Sequence, residues 1–455
     1  MKRTLSQFAQ LCGGRLTGEN RGFTAVVTDT RKLAAGELYV ALRGPHFDGN
    51  AFLAAAASAG AAGAVVDRPV TTSALPLIEV TDGLGALTRA SAGWRAQYRG
   101  AVVAVAGSNG KTTTKELTAA ILAARGPVLA TRGNLNNHIG VPLTLLRLTD
   151  ESAAVIEIGA NGPGEVAQLA RLVVPEVGLI TNAGAEHLEG FGDLDGVARA
   201  EGELVEALGP RALAVLNADD PYLDLWRGMT RAQVCTFGTA DGADFHITGL
   251  REELADEGFR LRFTLATPSG RADITLRLGG AHNARNAAAA AAAAIGAGAS
   301  LDDVVVGLAG VAPVPGRLQP RRTRHGARLI DDSYNANPSS VRAGIDVLVS
   351  LAGTPWLVLA DMGELGAHAE SSHEEMGLYA RQRGVARLFA TGRLSALAAK
   401  AFGDDAVHFP DVDSLARALD GELTADVSVL VKGSRSNRLE RVVQALLDAP
   451  AGEVH

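Results

Sequence analysis

Apolar and polar positions alternate along this chain with more than one period. From Ala101, AVVAVAGS is apolar without alternation, as in a parallel strand buried on both faces, and KTTTKELTAAILAA follows at helical spacing. AAVIEIGAN and EVGLITNAG repeat the scheme of an apolar run ending in a glycine-rich or polar turn. Strands alternating with helices predict a doubly wound α/β domain, with ligands at the C-terminal strand ends. Ahead of it, AVVTDT, GELYVAL, FLAAAASAGAAGAVV and LPLIEV predict a small α/β unit, and DGLGALTRASAGWRAQYRG predicts a helix ending at Gly100. Farther on, FHITGLREE and FRLRFTLATPSGRADITLRL alternate with period two and predict antiparallel strands flanking the parallel sheet. NAAAAAAAAIGAG predicts a helix whose small side chains permit close packing. After the Pro- and Gly-rich linker VAPVPGRLQP, the runs RLIDDSY, PWLVLADM, ARLFATG and VSVLVKGS predict a third α/β unit. The expected fold is α/β in three domains: residues 1–99, 100–312 and 313–455.

A length of 455 residues accommodates three cores. With 47% apolar and 20% charged residues the chain is not a disordered one. Its net charge of −7 argues against broad binding to nucleic acid. Two cysteines, Cys12 and Cys235, cannot make a disulfide framework or a thiolate metal site. The start MKRTLSQFAQLCGG is a poor signal peptide, and no apolar stretch approaches the ~20 residues of a membrane span. A cytoplasmic protein is expected.

Within AVVAVAGSNGKTTTKE, a buried strand runs into Gly107, Ser108, Asn109, Gly110, Lys111, Thr112 and Thr113 and then a helix. Glycines let backbone N–H groups converge on a phosphate, and the helix N-terminus adds partial positive charge. Lys111 can reach the β and γ phosphates, and the Thr112 hydroxyl can ligate Mg²⁺. The chain holds six lysines, so one inside a glycine-rich loop is informative. Val105 stands where the general P-loop pattern has glycine, which makes this a variant. A merely capped helix is the alternative, since Thr113 and Glu116 also suit a capping box.

Glu157 closes the strand AAVIEIGAN and is a candidate Mg²⁺ ligand, the alternative being an ordinary strand-end glutamate. His187 follows the next strand and gains interest only from its parallel placement; alone it reads as a surface histidine. Asn134, Asn136 and Asn137 share one loop, which reads either as turn chemistry or as a polar cradle for a substrate.

Taken together, these residues resemble the Mur ligase family, ATP-dependent amide ligases of peptidoglycan precursor synthesis. The resemblance rests on GSNGKTT, TRGNLNNHIGVPLT, IEIGANGPGE, TNAGAEHLEGFG, LNADDP, GAHNARNAAAA, PGRLQ, LIDDSYNANPSS, DMGELG and VKGSRSNRLE in order, with TDTRKLAAGELYVALRGPHFDGNAF ahead of them. It covers essentially the whole chain, and IDDSYNANP is its most discriminating part. It implies a UDP-sugar-binding first domain, a central P-loop ATPase domain and a C-terminal Rossmann-like domain. It also implies ATP with Mg²⁺, two ions, as cofactors. The implied substrates are UDP-N-acetylmuramoyl-tripeptide and D-alanyl-D-alanine, acted on by a monomer. By motif, Asn283 and Asn286 would face adenine, Arg317 a phosphate and Asp332 the ribose. Thr28, Asp29, Thr30 and Arg31 would lie at the uridine, and Asn335 and Asn337 would position the dipeptide.

Two positions depart from the family pattern. Glu201 stands where the family commonly has a lysine that becomes carbamylated, and its carboxylate is expected to replace the carbamate in organising the second Mg²⁺ with no CO₂ needed, with Lys111 and His187 completing the catalytic set. Gly162 stands where a histidine is common, and nothing in the sequence explains it. A sister ligase adding another amine, a folate polyglutamate ligase, a nucleotide switch and a small-molecule kinase are the alternatives.

Overall fold

The computed structural model describes residues 3–70, 73–185, 187–255 and 258–447. Three mostly parallel sheets follow one another along the chain. The first has five strands in the order Arg15–Thr17, Leu77–Glu79, Gly63–Val66, Leu38–Val40, Val26–Val27, with only the outermost Arg15–Thr17 antiparallel. The second has nine. Its parallel part runs Val128–Ala130, Ala153–Glu157, Ala101–Ala106, Val177–Ile180, Leu213–Asn217, Gln233–Gly238 and Phe245–Ala255. Gly258–Thr267 and Gly270–Leu276 then extend it antiparallel. The third sheet orders Gln319–Arg322, Arg328–Asp332, Val427–Lys432, Thr354–Ala360, Arg387–Thr391 and Ala406–Phe409, antiparallel only at Gln319–Arg322.

The hydrophobic pattern explains these layers. Val102 to Ala106 are all buried because helices cover both faces of the central sheet, so no polar position alternates with them. In Gly258–Thr267 only every second residue, Phe259, Leu261, Phe263 and Leu265, enters a core. The linker segment is shorter than the sequence suggests. Gln319 and Pro320 already pair with Asp331 and Ile330, which an outermost strand tolerates because Pro320 needs no donor on its open side.

Helix Ala281–Gly296 shows what a run of alanines is for. Ala287 to Ala294 are all buried, packed against the sheet and against helix Lys111–Ala123. Helix Leu301–Ala309 approaches that same helix so closely that a Cβ on Gly307 would stand 2.5 Å from Ile121 Cα. The small side chains thus set the P-loop helix against the N-terminal turn carrying Asn283 and Asn286.

The two chain boundaries differ physically. The expected helix before Gly100 ends at Arg95, and it does not separate two cores. Its Trp94 and Ala90 share one apolar cluster with Val102, Leu145 and Val173. Trp94 Nε1 donates to Leu148 O at 2.8 Å, and Arg95 Nε donates to Val173 O at 2.8 Å. The third sheet meets the second mainly through polar side chains around a cleft, with Phe259 as an apolar contact to Leu318 and Ile330.

Candidate active site

A cleft of about 860 Å³ opens where the C-terminal strand ends of the second and third sheets face each other. Strand Ala101–Ala106 delivers the P-loop to its floor. Gly107 and Gly110 have φ of +111° and +83°. A Cβ on Gly107 would lie 2.3 Å from Thr181 Oγ1, and one on Gly110 would lie 2.5 Å from Asn286 Oδ1, so both positions require glycine. Lys111 Nζ bonds Ser108 O at 3.0 Å, folding the lysine back over the loop. Ser108 Oγ accepts from Gly184 N at 2.8 Å. Asn182, which the sequence reading passed over, grips Asn109 from both sides: Asn109 N donates to Asn182 Oδ1 at 3.0 Å, and Asn182 Nδ2 donates to Asn109 O at 2.9 Å. Thr112 and Thr113 follow Lys111 in the first turn of the helix.

Glu157 lies in the wall beside this loop and is buried. Asn136 Nδ2 donates to its Oε1 at 2.9 Å, while Oε2 is buried without a partner. A buried carboxylate oxygen left open at the edge of a phosphate-binding loop suits a hard cation that shares its shell with water and phosphate. The asparagine loop divides by role. Asn134 and Asn136 line the cleft, whereas Asn137 caps a turn through Ile139 N and Gly140 N at 3.2 and 2.9 Å.

His187 and Glu201 do not complete a metal site with Glu157: among the described residues, no three acidic, histidine or cysteine side chains form a metal-sized cluster. His187, at φ +50°, lines the cleft and engages Glu364 Oε2 through Nδ1 at 2.8 Å. That hydrogen bond holds the Glu364 carboxyl below its ordinary range. Glu364 sits in DMGELG of the third domain, and nothing local to that motif signals the contact. Glu201 is buried behind the loop, where its Oε2 accepts from Gly107 N at 2.6 Å. It thus braces the first P-loop amide. Glu186, beside His187, lies outside the described residues.

From the helix that follows the antiparallel strands, Asn283 and Asn286 reach the cleft beside Gly110, tied to each other at 2.9 Å. His282 lies next to them, and burial, with help from the Arg285 and Lys432 charges, pushes its pKa down to about 4.

The third domain closes the opposite wall. Arg317 Nη2 donates to Thr112 Oγ1 at 3.1 Å, and its guanidinium lies 4.5 Å over the Tyr334 ring. Asp332 accepts from Leu318 N at 3.1 Å and pairs with Lys432 Nζ at 2.6 Å, a buried lysine the sequence reading did not single out. Lys432 also holds Asn335 O at 3.0 Å, fixing the backbone that presents Asn335 to the cleft. Asn337 donates through Nδ2 to Asn109 Oδ1 at 2.8 Å. Thr28, Asp29, Thr30 and Arg31 stand outside this cleft, in the first domain. There Asp29 begins a short 3₁₀ turn and accepts from Arg31 N, Nε and Nη2, which pull its pKa down to about 2.

A variant P-loop facing a second α/β domain across a polar cleft is the arrangement of a nucleotide-dependent ligase, and the chain belongs to the Mur ligase family. Residues 105–294 match the Mur ligase middle domain, and residues 316–435 match the Mur ligase, glutamate ligase domain. The UDP-N-acetylmuramoyl-tripeptide–D-alanyl-D-alanine ligase of Escherichia coli (strain K12) is 42% identical over 446 residues, covering 97% of this chain and 98% of that protein. The ligase of the same name from Bacillus subtilis (strain 168) is 34% identical, with 99% of each chain covered. A crystal structure of MurF from Acinetobacter baumannii superposes with a TM-score of 0.90 at 33% identity, covering 98% of this chain and 99% of that one. MurF from Thermotoga maritima, solved in complex with ADP, gives a TM-score of 0.80 at 27% identity over 93% of this chain and 96% of that one.

Proposed function

We propose that this chain is an ATP-dependent ligase joining D-alanyl-D-alanine to the C-terminal carboxylate of UDP-N-acetylmuramoyl-tripeptide, with release of ADP and phosphate. The similarity to ligases of that name along nearly the full length of both chains carries the reading. The P-loop cleft between two domains supports it.

A carboxylate is a poor electrophile, so it must be activated first. The tripeptide carboxylate oxygen attacks the γ-phosphorus of ATP, an O–P bond forms, the β–γ bridge breaks, and ADP leaves. The dipeptide amine then attacks the acyl phosphate carbon, and the tetrahedral intermediate expels phosphate as the amine loses its proton. Two anions must meet in the first step, and this chain answers with Lys111 at the β and γ phosphates and Arg317 from the linker. The open Glu157 oxygen and the Thr112 hydroxyl are the groups that would hold Mg²⁺, which when bound neutralises phosphate charge. The second ion expected near His187 and Glu201 has no such donor set among the described residues, where Glu201 holds Gly107 N and His187 holds Glu364.

The division of labour follows. Residues 1–99 hold the UDP end through Thr28, Asp29, Thr30 and Arg31. Residues 100–312 hold ATP through Gly107 to Thr113, Asn283 and Asn286. Residues 313–455 contribute Arg317 and Asp332, with Asn335 facing the dipeptide. Asn134 and Asn136 receive the tripeptide end. Among the described residues no helix is long and apolar enough to cross a membrane.

The deciding experiment supplies ATP, Mg²⁺ and UDP-N-acetylmuramoyl-tripeptide, with and without D-alanyl-D-alanine. ADP release that depends on the dipeptide, and a mass equal to the condensed pentapeptide, are expected. ATP hydrolysis indifferent to both substrates, with no condensed mass, would overturn the reading.

A further inference from the structure

The tip of the P-loop is fastened to the third domain by a closed ring of side-chain hydrogen bonds. Asn109 Nδ2 donates to Ser339 Oγ at 2.9 Å, Ser339 Oγ donates to Asn337 Oδ1 at 3.1 Å, and Asn337 Nδ2 donates back to Asn109 Oδ1 at 2.8 Å. Each polar atom in the ring has a complementary partner, and the amide orientations are determined by it. Asn337 Oδ1 also accepts from Ser340 N at 2.9 Å as the cap of helix Pro338–Ser350, so its nitrogen can only face Asn109. On the other side the Asn109 backbone is held in both directions by Asn182, so a pull on its side chain is a pull on the P-loop itself.

Helix Pro338–Ser350 is also linked to the arginine that reaches the P-loop. It passes so close to the Asp332–Lys432 pair that a Cβ on Gly344 would lie 3.5 Å from Lys432 Cδ. Asp332 in turn accepts from Leu318 N, beside Arg317. The helix, the ion pair and the arginine thus form one body. A displacement of that body would open the ring at Asn109 and take Arg317 from Thr112 together.

We propose that Asn109 and Asn337 are positioning residues that register the docking of the third domain in the phosphate loop, so that the loop is set for phosphoryl transfer only when Arg317 is in place. The inference rests on the ligase reading above for its kinetic arm. It also moves Asn337 away from the dipeptide, since its carbonyl oxygen and one of its two N–H groups are already committed to protein partners.

Asn337→Thr tests it on the full chain. Threonine keeps an oxygen that caps Ser340 N but is too short to reach Asn109, so the contact is lost whichever way the Asn109 amide turns. The expected result is an unchanged thermal midpoint and unchanged ATP affinity without muropeptide, with kcat down roughly tenfold or more. With a non-hydrolysable ATP analogue and the UDP-tripeptide, small-angle scattering should give a larger radius of gyration than wild type. Asn109→Ala combined with Asn337→Thr should lose no more than the worse single variant, because both break one contact. Wild-type kcat and wild-type compaction in Asn337→Thr would overturn the proposal, as would losses that multiply in the double variant. A rise in the dipeptide KM alone would also overturn it by returning Asn337 to the substrate. If wild type forms no condensed product, the ligase reading fails instead, and the scattering comparison decides this one.

Discussion

Arg317 donates to the Thr112 hydroxyl across 3.1 Å while its guanidinium carbon sits 4.5 Å from the Tyr334 ring centre, so a residue 205 positions along the chain completes the first turn of the P-loop helix. Its Nε is buried without a partner, a donor left open beside the phosphate loop. Arg317→Ala should lower kcat by about 10²–10³, the usual loss for a transition-state donor. Arg317→Lys should not restore it, because an ammonium neither stacks on Tyr334 nor forks between two acceptors. ADP release at saturating ATP measures both.

Asn136 and Asn137 are neighbours with separable roles. Asn137→Ala removes a turn cap and should cost about 1 kcal/mol of stability with kcat intact. Asn136→Ala strips the partner from Glu157 Oε1 and should raise the Mg²⁺ concentration needed for half-maximal turnover. Urea unfolding and a Mg²⁺ titration of each variant separate the two. Equal Mg²⁺ requirements would contradict the role given to Asn136.

In the Asp332–Lys432 pair the lysine is buried and the carboxylate largely covered, with 2% and 13% of their side chains exposed, so its halves are unequal to its whole. Lys432→Met should destabilise the chain by about 3–5 kcal/mol by leaving a carboxylate uncompensated. Adding Asp332→Asn should recover most of that loss. The urea midpoint is the readout.

His282 makes stability depend on pH. Burial holds its pKa at about 4 against an ordinary 6.5, so between those values the unfolded chain takes up a proton that the folded chain refuses. Stability therefore falls as pH drops through that window and levels off below it. His282→Gln should flatten that part of a urea-midpoint profile measured from about pH 7 to 4. A slope identical to wild type would show that other groups carry it.

Much of the molecule was legible in the sequence. The central strand, the P-loop order and the period-two strands are local patterns, and each appears where the hydrophobic spacing puts it. The third sheet's strand Ala406–Phe409 was missed because it is short and only partly buried, which leaves a weak apolar signal. Asn182, Glu364 and Lys432 escaped notice for another reason. A polar residue at a strand end or in a loop looks the same in sequence whether it meets solvent or a partner domain.

By itself, the sequence determined which backbone turns toward phosphate, because glycine freedom, strand burial and helix initiation are settled by neighbours a few residues away. Only the tertiary structure decided what that loop meets. Glu201 braces Gly107 from 94 residues away, and Asn337 reaches Asn109 from 228 residues away. His187 faces Glu364 across the domain boundary. Such contacts depend on how whole sheets are stacked, and hydrogen bonds sensitive to tenths of an ångström are set by that stacking rather than by local propensity.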